Sequence, residues 1–213
     1  MKLISWNYKK YYSAKAKHIL TEKPDIVIVP ECEHPDLFTF ENDDLKPADE
    51  IWFENPGEDR EIGVFSYSNY KIKLLYIYNA ELKYVLPIEV TNDDFTFILL
   101  AVWTHKKYTN QIWDAIKYYS DLLNGNIIIA GDFNSNSLGD DKNKANSHSD
   151  FVKHLEGKNI FSLYHFFTNE LQGKETKPTF YWYHYEDKPF HIDYCFASSN
   201  FKDRLQKIEI GKL

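Results

Sequence analysis

The chain has 213 residues, 43% hydrophobic and 17% aromatic, with a formal net charge of -7 at pH 7. That length and apolar content suit one large globular domain over 1–213, and the acidity argues against a protein that coats nucleic acid through a general basic surface. No apolar run approaches a membrane span, Met1-Lys2-Leu3-Ile4-Ser5-Trp6 lacks a signal-peptide core, and Cys32 and Cys195 form no CxxC pair; these features argue against a membrane protein, a disulfide scaffold and a zinc ribbon, and for a reduced cytoplasm.

Lys2 to Trp6 reads as a first strand. From Tyr8 to Lys23 the apolar residues Tyr12, Ala16, Ile19 and Leu20 follow helical spacing, and Pro24-Asp25 ends the helix. Ile26 to Val29 reads as a buried strand, followed by four more at Glu61 to Tyr67, Ile72 to Tyr78, Leu82 to Val90 and Phe95 to Trp103, with Asn69, Asn79-Ala80 and Asn92-Asp93-Asp94 at the turns. Gln111 to Leu123 has the pattern of an amphipathic helix, with Gly125 past its end. Ile127-Ile128-Ile129-Ala130 then leads into Gly131-Asp132-Phe133-Asn134. Ser149 suits the cap of a helix through Phe151, Val152 and Leu155 to Gly157. The last third returns to strands at Thr179 to Tyr185, Phe190 to Phe196 and Ile208 to Ile210. Antiparallel neighbours dominate this order, so two packed sheets with outer helices fit better than a doubly wound parallel sheet.

The most informative stretch is Gly131-Asp132-Phe133-Asn134, a carboxylate and a carboxamide at the tip of a buried strand. A carboxylate can hold a hard cation or a water, and a carboxamide can donate to a phosphate oxygen without adding negative charge. The same tetrapeptide also suits an Asx turn that merely closes a strand. Polar residues recur at other strand ends: Asn7 after Ile4-Ser5-Trp6, Glu31 after Ile26 to Pro30, His105 after Ile98 to Thr104, and His191-Ile192-Asp193 at the head of an apolar strand. The repetition suggests several strand tips directed to one cleft.

The motifs Ser5-Trp6-Asn7, Pro30-Glu31, Trp103-Thr104-His105, Gly131-Asp132-Phe133-Asn134 and His191-Ile192-Asp193-Tyr194, in this order and over most of the chain, resemble the endonuclease/exonuclease/phosphatase superfamily. The resemblance implies a four-layer α/β sandwich, two packed mixed β-sheets with outer helices. It also implies divalent-metal-dependent hydrolysis of a phosphoester, with Mg²⁺ as the cofactor and Mn²⁺ as its substitute. Glu31, Asn7 and Asp132 would bind the metal. Asp132 would orient or activate the attacking water, Asn134 would hold the phosphate, and His105 would stabilise charge growing on the phosphoryl oxygens. Asp193 would orient a catalytic histidine. His191 stands where many relatives carry Arg, which leaves its role open, and is a phosphate-binding candidate.

Each role has a plainer counterpart. Glu31 could be a surface charge in Glu31-Cys32-Glu33, Asn7 a helix N-cap, His105 an ordinary histidine, Lys106-Lys107 a solvated charge run rather than a phosphate-facing pair, and Asp193 a strand-edge partner of a lysine. Phe180-Tyr181-Trp182-Tyr183 suits either a stacking surface for substrate or a strand with one packed face.

Relatives usually end on a Ser-Asp-His motif whose histidine partners the Asp matched by Asp193, and this chain reads Ile210-Gly211-Lys212-Leu213 without it. The expectation is a lost tail and last strand, an exposed sheet edge that favours association, and a rate reduced by the ~10²–10⁴ that general acid–base catalysis contributes. His191 and His148 are the other candidates for that proton transfer. The functional expectation is a phosphodiesterase acting on DNA, RNA or nucleotides; the alternatives are a phosphatase or phospholipase of the same fold, or a catalytically impaired binding protein on it. Net acidity favours small substrates over long polymers. Substrate choice falls to loops such as His34 to Asp49 and Asp140 to Ser147.

Overall fold

A computed structural model describes residues 1–7, 11–53, 61–105, 108–141, 144–181 and 187–211. The architecture is mixed α/β, packed β-sheets with helices outside. The chain divides into two compact units, Met1–Trp103 and Thr104–Leu213.

The first unit contains β1 (Leu3–Ser5), α1 (Tyr12–Leu20), β2 (Ile26–Cys32), β3 (Asp49–Trp52), β4 (Glu61–Ser66), β5 (Lys71–Leu74), β6 (Val85–Thr91) and β7 (Thr96–Trp103). One sheet runs β1-β2-β4-β3. It is mixed, because β1 lies parallel to β2 while β4 is antiparallel to β2 and β3. Strands β5, β6 and β7 form an antiparallel meander, and β2 and β4 pack on β7. Ile26, Val27, Ile28 and Val29 are all fully buried. An unbroken apolar run of this kind marks a strand covered on both faces. On one face Tyr12, Ala16 and Ile19 of α1 meet Val27, Val29 and Phe65, with the Tyr12 ring stacked on Phe65 at 4.5 Å.

Helix α1 is shorter than the spacing predicts. Tyr11 at its head is left-handed (φ 67) and supplies no side-chain cap, Lys23 beyond its end is left-handed too, and the predicted start, residues 8–10, lies outside the described residues. Strand β3 has no alternation in its sequence; it forms because the edge of β4 supplies its hydrogen bonds, Asp49 opposite Ser66 and Trp52 opposite Gly63.

The second unit contains α2 (Tyr108–Tyr118), β8 (Ile127–Asp132), α3 (His148–Glu156), β9 (Ile160–Ser162), α4 (Leu163–Thr168), β10 (Phe180–Tyr181), β11 (Pro189–Phe190), β12 (Asp193–Ser198) and α5 (Ser199–Lys202). Strand β12 pairs antiparallel with β8 on one side and β9 on the other. Phe133, fully buried, centres the core, with its ring 5.9 Å from Phe151, 5.5 Å from Tyr194 and 5.6 Å from Phe196.

Four expectations for this half are corrected. The helix predicted over 111–123 is α2 followed by a 3-10 turn at Ser120–Asn124. The cap of α3 is Ser147, not Ser149: Ser147 Oγ accepts the Asp150 N–H and the Asp150 carboxylate accepts the Ser147 N–H, a reciprocal box worth about 1 kcal/mol. Ser149 is drawn instead to Asp140. The strand predicted over 190–196 is two pieces, because Phe190 pairs with Phe180 of β10 whereas Asp193 pairs with Asp132 of β8; between them the Ile192 N–H goes to Thr179 Oγ1. No strand forms at 208–210, where Ile208 and Ile210 are only half-buried and Glu209 between them is exposed. Of the strand predicted over 179–185, Phe180–Tyr181 is seen and 182–185 lies outside the described residues. Among the described residues no helix is long and apolar enough to cross a membrane.

Candidate active site

In the first unit the register of β1 on β2, Ser5 opposite Ile28, carries Asn7 level with Pro30. Between Val29 (opposite Gly63) and Cys32 (opposite Glu61), β2 holds Pro30 and Glu31 against the single Ile62 of β4, which makes a β-bulge. Proline has no N–H for the ladder and favours such a site. Glu31 takes a left-handed φ of 56 there, so it lies within the strand's irregular end rather than beyond it. Asn7 Nδ2 donates to Glu31 Oε1 at 3.0 Å. This corrects the helix-cap alternative for Asn7, since Tyr11 occupies the cap position. A carboxylate beside an amide carbonyl is a hard-oxygen donor set, and Mg²⁺ needs only one or two carboxylates because it retains much of its water. Among the described residues no group of three or more His, Cys, Asp or Glu is placed to hold a metal.

In the second unit the tip of β8 is built by local geometry. Gly131 has φ 142, a conformation that side chains rarely adopt. It turns the strand end so that Asp132 Oδ1 accepts the Asn134 N–H at 2.9 Å, the Asx turn that is one of the two readings of the tetrapeptide. Asn134 is left-handed (φ 46), and its Nδ2 donates to the Thr104 carbonyl at 2.8 Å, which engages one of two amide protons. Thr104 is tied back twice, its N–H to the Asp132 carbonyl at 3.0 Å and its hydroxyl to the Phe133 carbonyl. His105, next along the chain, is half-buried, and its N–H donates to Gln111 Oε1 at 2.7 Å. Lys106 and Lys107 lie outside the described residues.

Asp132 and Asp193 are direct partners across β8 and β12. Like charges directly opposite on antiparallel strands destabilise each other. Burial, and then the Asp132 charge, push the Asp193 carboxyl well above the usual carboxylate range, against a hydrogen bond from Thr179. Thr179 Oγ1 also accepts the Asp193 N–H at 3.1 Å. Among the described residues no histidine hydrogen-bonds to Asp193, and no lysine pairs with it. Thr179 carries no sequence signal, because a lone threonine ahead of a short strand resembles any other.

His191, although two residues from Asp193, is turned into the core. Its Nδ1–H donates to the Lys177 carbonyl at 2.9 Å, and its ring lies 4.6 Å from Tyr164 and 5.1 Å from Tyr194. Burial holds its imidazole below the ordinary histidine range. His148 is also buried, with Nδ1 3.0 Å from Ser135 Oγ. Its ring lies 4.8 Å from Tyr194. Burial, the largest cause, pushes the His148 imidazole down to about 4, against the pull of Asp140 and Glu175 and with the help of His165 and His191.

That shift predicts acid lability. An unfolded histidine protonates near pH 6.5 and the folded His148 near pH 4. Between those values the unfolded chain binds the extra proton, so stability is full above pH 6.5 and falls as pH drops towards 4. The loss by pH 4.5 is on the order of 2–3 kcal/mol. Urea unfolding at pH 7.5 and pH 4.5 for wild type and His148→Asn measures it. The variant should lose less stability by that amount, and identical pH dependences would defeat the attribution to His148.

Residues 14–211 match the model of the Endonuclease/Exonuclease/phosphatase family. Solved structures of like fold include an AP endonuclease from Archaeoglobus fulgidus, at 14% identity and a TM-score of 0.65 over 94% of this chain and 88% of that one. The endonuclease domain of TRAS1, a telomere-specific non-LTR retrotransposon, aligns at 16% identity and 0.62 over 94% and 86%. The 3' phosphatase NExo from Neisseria, bound to product DNA hairpin, aligns at 15% and 0.60 over 94% and 88%. No curated protein matches the sequence.

Proposed function

The chain belongs to the endonuclease/exonuclease/phosphatase family, and we propose from that premise that it is a Mg²⁺-dependent phosphodiesterase acting on nucleic acid or nucleotides. The observation that carries the reading is the Asp132–Asp193 pair at the ends of adjacent strands, with Asn134 held on the same turn. Such a pair is costly to a fold with no use for it, and a carboxyl pushed upward is a better proton acceptor near neutral pH.

In the proposed reaction Asp132 orients the attacking water and a carboxyl oxygen of the pair takes its proton. Asp193 acts through the pair and through Thr179. The second amide N–H of Asn134 donates to a phosphoryl oxygen, and His105 meets the charge that grows on the phosphoryl group during in-line attack. His191, buried on the Lys177 carbonyl, supports the strand end and is the weakest of the phosphate-binding candidates. A bound divalent cation supplies charge that polarises the ester; Glu31 and Asn7 would hold it, Asp132 would share that role, and Mn²⁺ is the expected substitute. The net charge of -7 favours short or small substrates, since polymer affinity grows with the number of cationic contacts.

The test is hydrolysis of bis-p-nitrophenyl phosphate beside p-nitrophenyl phosphate, with Mg²⁺, with Mn²⁺ and with chelator, followed by nicked DNA, abasic DNA, RNA and nucleotides. Metal-dependent cleavage of the diester in preference to the monoester is the expected result. A preference for the monoester would replace the reading with a phosphatase. No turnover on any substrate with either metal would leave a binding protein on a hydrolase fold.

A further inference from the structure

The turn that carries Asn134 is clamped from two sides by groups outside the proposed chemistry. On one side Ser135 Oγ lies 3.0 Å from His148 Nδ1, and His148 is the first residue of α3. The far end of the same segment returns to the same helix, where Asp140 accepts the His148 N–H at 2.8 Å and the Ser149 N–H at 3.0 Å. On the other side Gly173 (φ 76) sits against the segment so closely that a Cβ there would lie 2.5 Å from Ser137 Oγ and 3.3 Å from Leu138 Cδ2. Gly173 is itself held, because its N–H donates to Glu175 Oε1 at 2.9 Å, and that oxygen also lies 3.0 Å from His165 Nε2. The His165 and Glu175 side chains are 10% and 5% exposed. Burial pushes the Glu175 carboxyl up, but the hydrogen bonds from His165 and the Gly173 N–H outweigh it and hold it at about 2.

His148 is costly where it stands. It is 1% exposed and its Nε2 has no hydrogen-bond partner. A leucine would fill that space without leaving a polar atom unpaired. What the imidazole provides is the bond to Ser135, one residue beyond Asn134. Asparagine tolerates left-handed backbone better than most side chains, and bonds to its neighbours hold Asn134 (φ 46) in that conformation against the alternatives.

We propose that His148, through Ser135, is a positioning residue that fixes Asn134 for phosphate binding, with the His165–Glu175–Gly173 group bracing the opposite side of the turn. This rests on the phosphodiesterase reading of Asn134, and one arm of its test does not. The variants are Ser135→Ala, His148→Leu, the double variant and His148→Asn, whose amide can reach where Nδ1 sits. With the diester and Mg²⁺, Ser135→Ala and His148→Leu should each lower kcat ~10- to 100-fold with little change in KM, the loss expected from a misplaced group. The double variant should be no worse than either single, and His148→Asn should recover most of the rate. Amide hydrogen exchange should quicken ~10-fold or more at residues 134–139 in Ser135→Ala, with α3 unchanged. Ser135→Ala alters a half-buried hydroxyl and keeps the decision open if His148→Leu fails to fold. Unchanged kcat per folded molecule, or additive losses in the double variant, would overturn the proposal. Should the wild type cleave no phosphoester, the reading of the site fails separately and the exchange arm still decides: equal exchange at 134–139 refutes the brace.

Discussion

Asp132→Asn should lower the diesterase kcat by ~10²–10⁴-fold, the range that a positioned acid–base group contributes, while leaving the protein as stable as wild type or more so. The two effects have opposite origins. The asparagine keeps an Oδ1 to accept the Asn134 N–H, so the turn survives. It also removes the charge that faces Asp193 across β8 and β12, and relief of a like-charge cross-strand pair is worth up to ~1 kcal/mol. Steady-state kinetics beside urea unfolding at pH 7.5 reads both quantities on one sample. A rate constant equal to wild type would remove Asp132 from the chemistry. A lost rate together with a lost fold would make it a structural residue. The Asp193→Asn variant should follow the same pattern, and the double variant should be less than additive, as expected for groups that act as a unit.

Glu31→Gln should abolish measurable Mg²⁺ binding at millimolar metal without disturbing α1 or β2. The glutamine retains an oxygen for the Asn7 amide, and the bulge that aims position 31 is set by Pro30 and the register against Ile62 rather than by charge. What is removed is the formal charge on which a hard cation depends. Asn7→Leu removes the partner that orients the carboxylate and should weaken metal binding ~10- to 100-fold, as loss of a ligand's supporting hydrogen bond typically does. Calorimetric titration with Mg²⁺ and Mn²⁺ measures both. Wild-type affinity in Glu31→Gln would place the cation elsewhere. Combining Glu31→Gln with Asp132→Asn tests whether the two carboxylates serve one reaction: if they do, the double variant is no slower than the slower single.

Ile26 to Val29 and Ile127 to Ala130 were legible from the chain because four consecutive apolar residues bounded by turn formers can satisfy their backbone in few other ways. The Gly131 turn was legible for the same local reason, since an Asx turn is made within four residues. Strand β3 was not, because Asp49-Glu50-Ile51-Trp52 is strand only by virtue of the bonds that β4 offers it. Nor was the break at His191-Ile192, where the chain changes from the partner at Phe180 to the partner at Asp132. The shift from Ser149 to Ser147 as the cap of α3 has a comparable cause: both serines suit the position, and Asp140 claims one of them.

For the candidate site, the amino-acid order by itself determined which residues stand at strand ends and which family the chain resembles, since strand period and turn chemistry act over a few neighbouring residues. Tertiary structure alone decided what those residues face. It set Asp193 against Asp132 rather than beside a lysine, gave Asn7 to Glu31 rather than to a helix end, and sent the imidazoles of His191 and His148 into the core. Pairing across strands, burial and proton affinity are fixed by groups remote along the chain, so no local pattern encodes them.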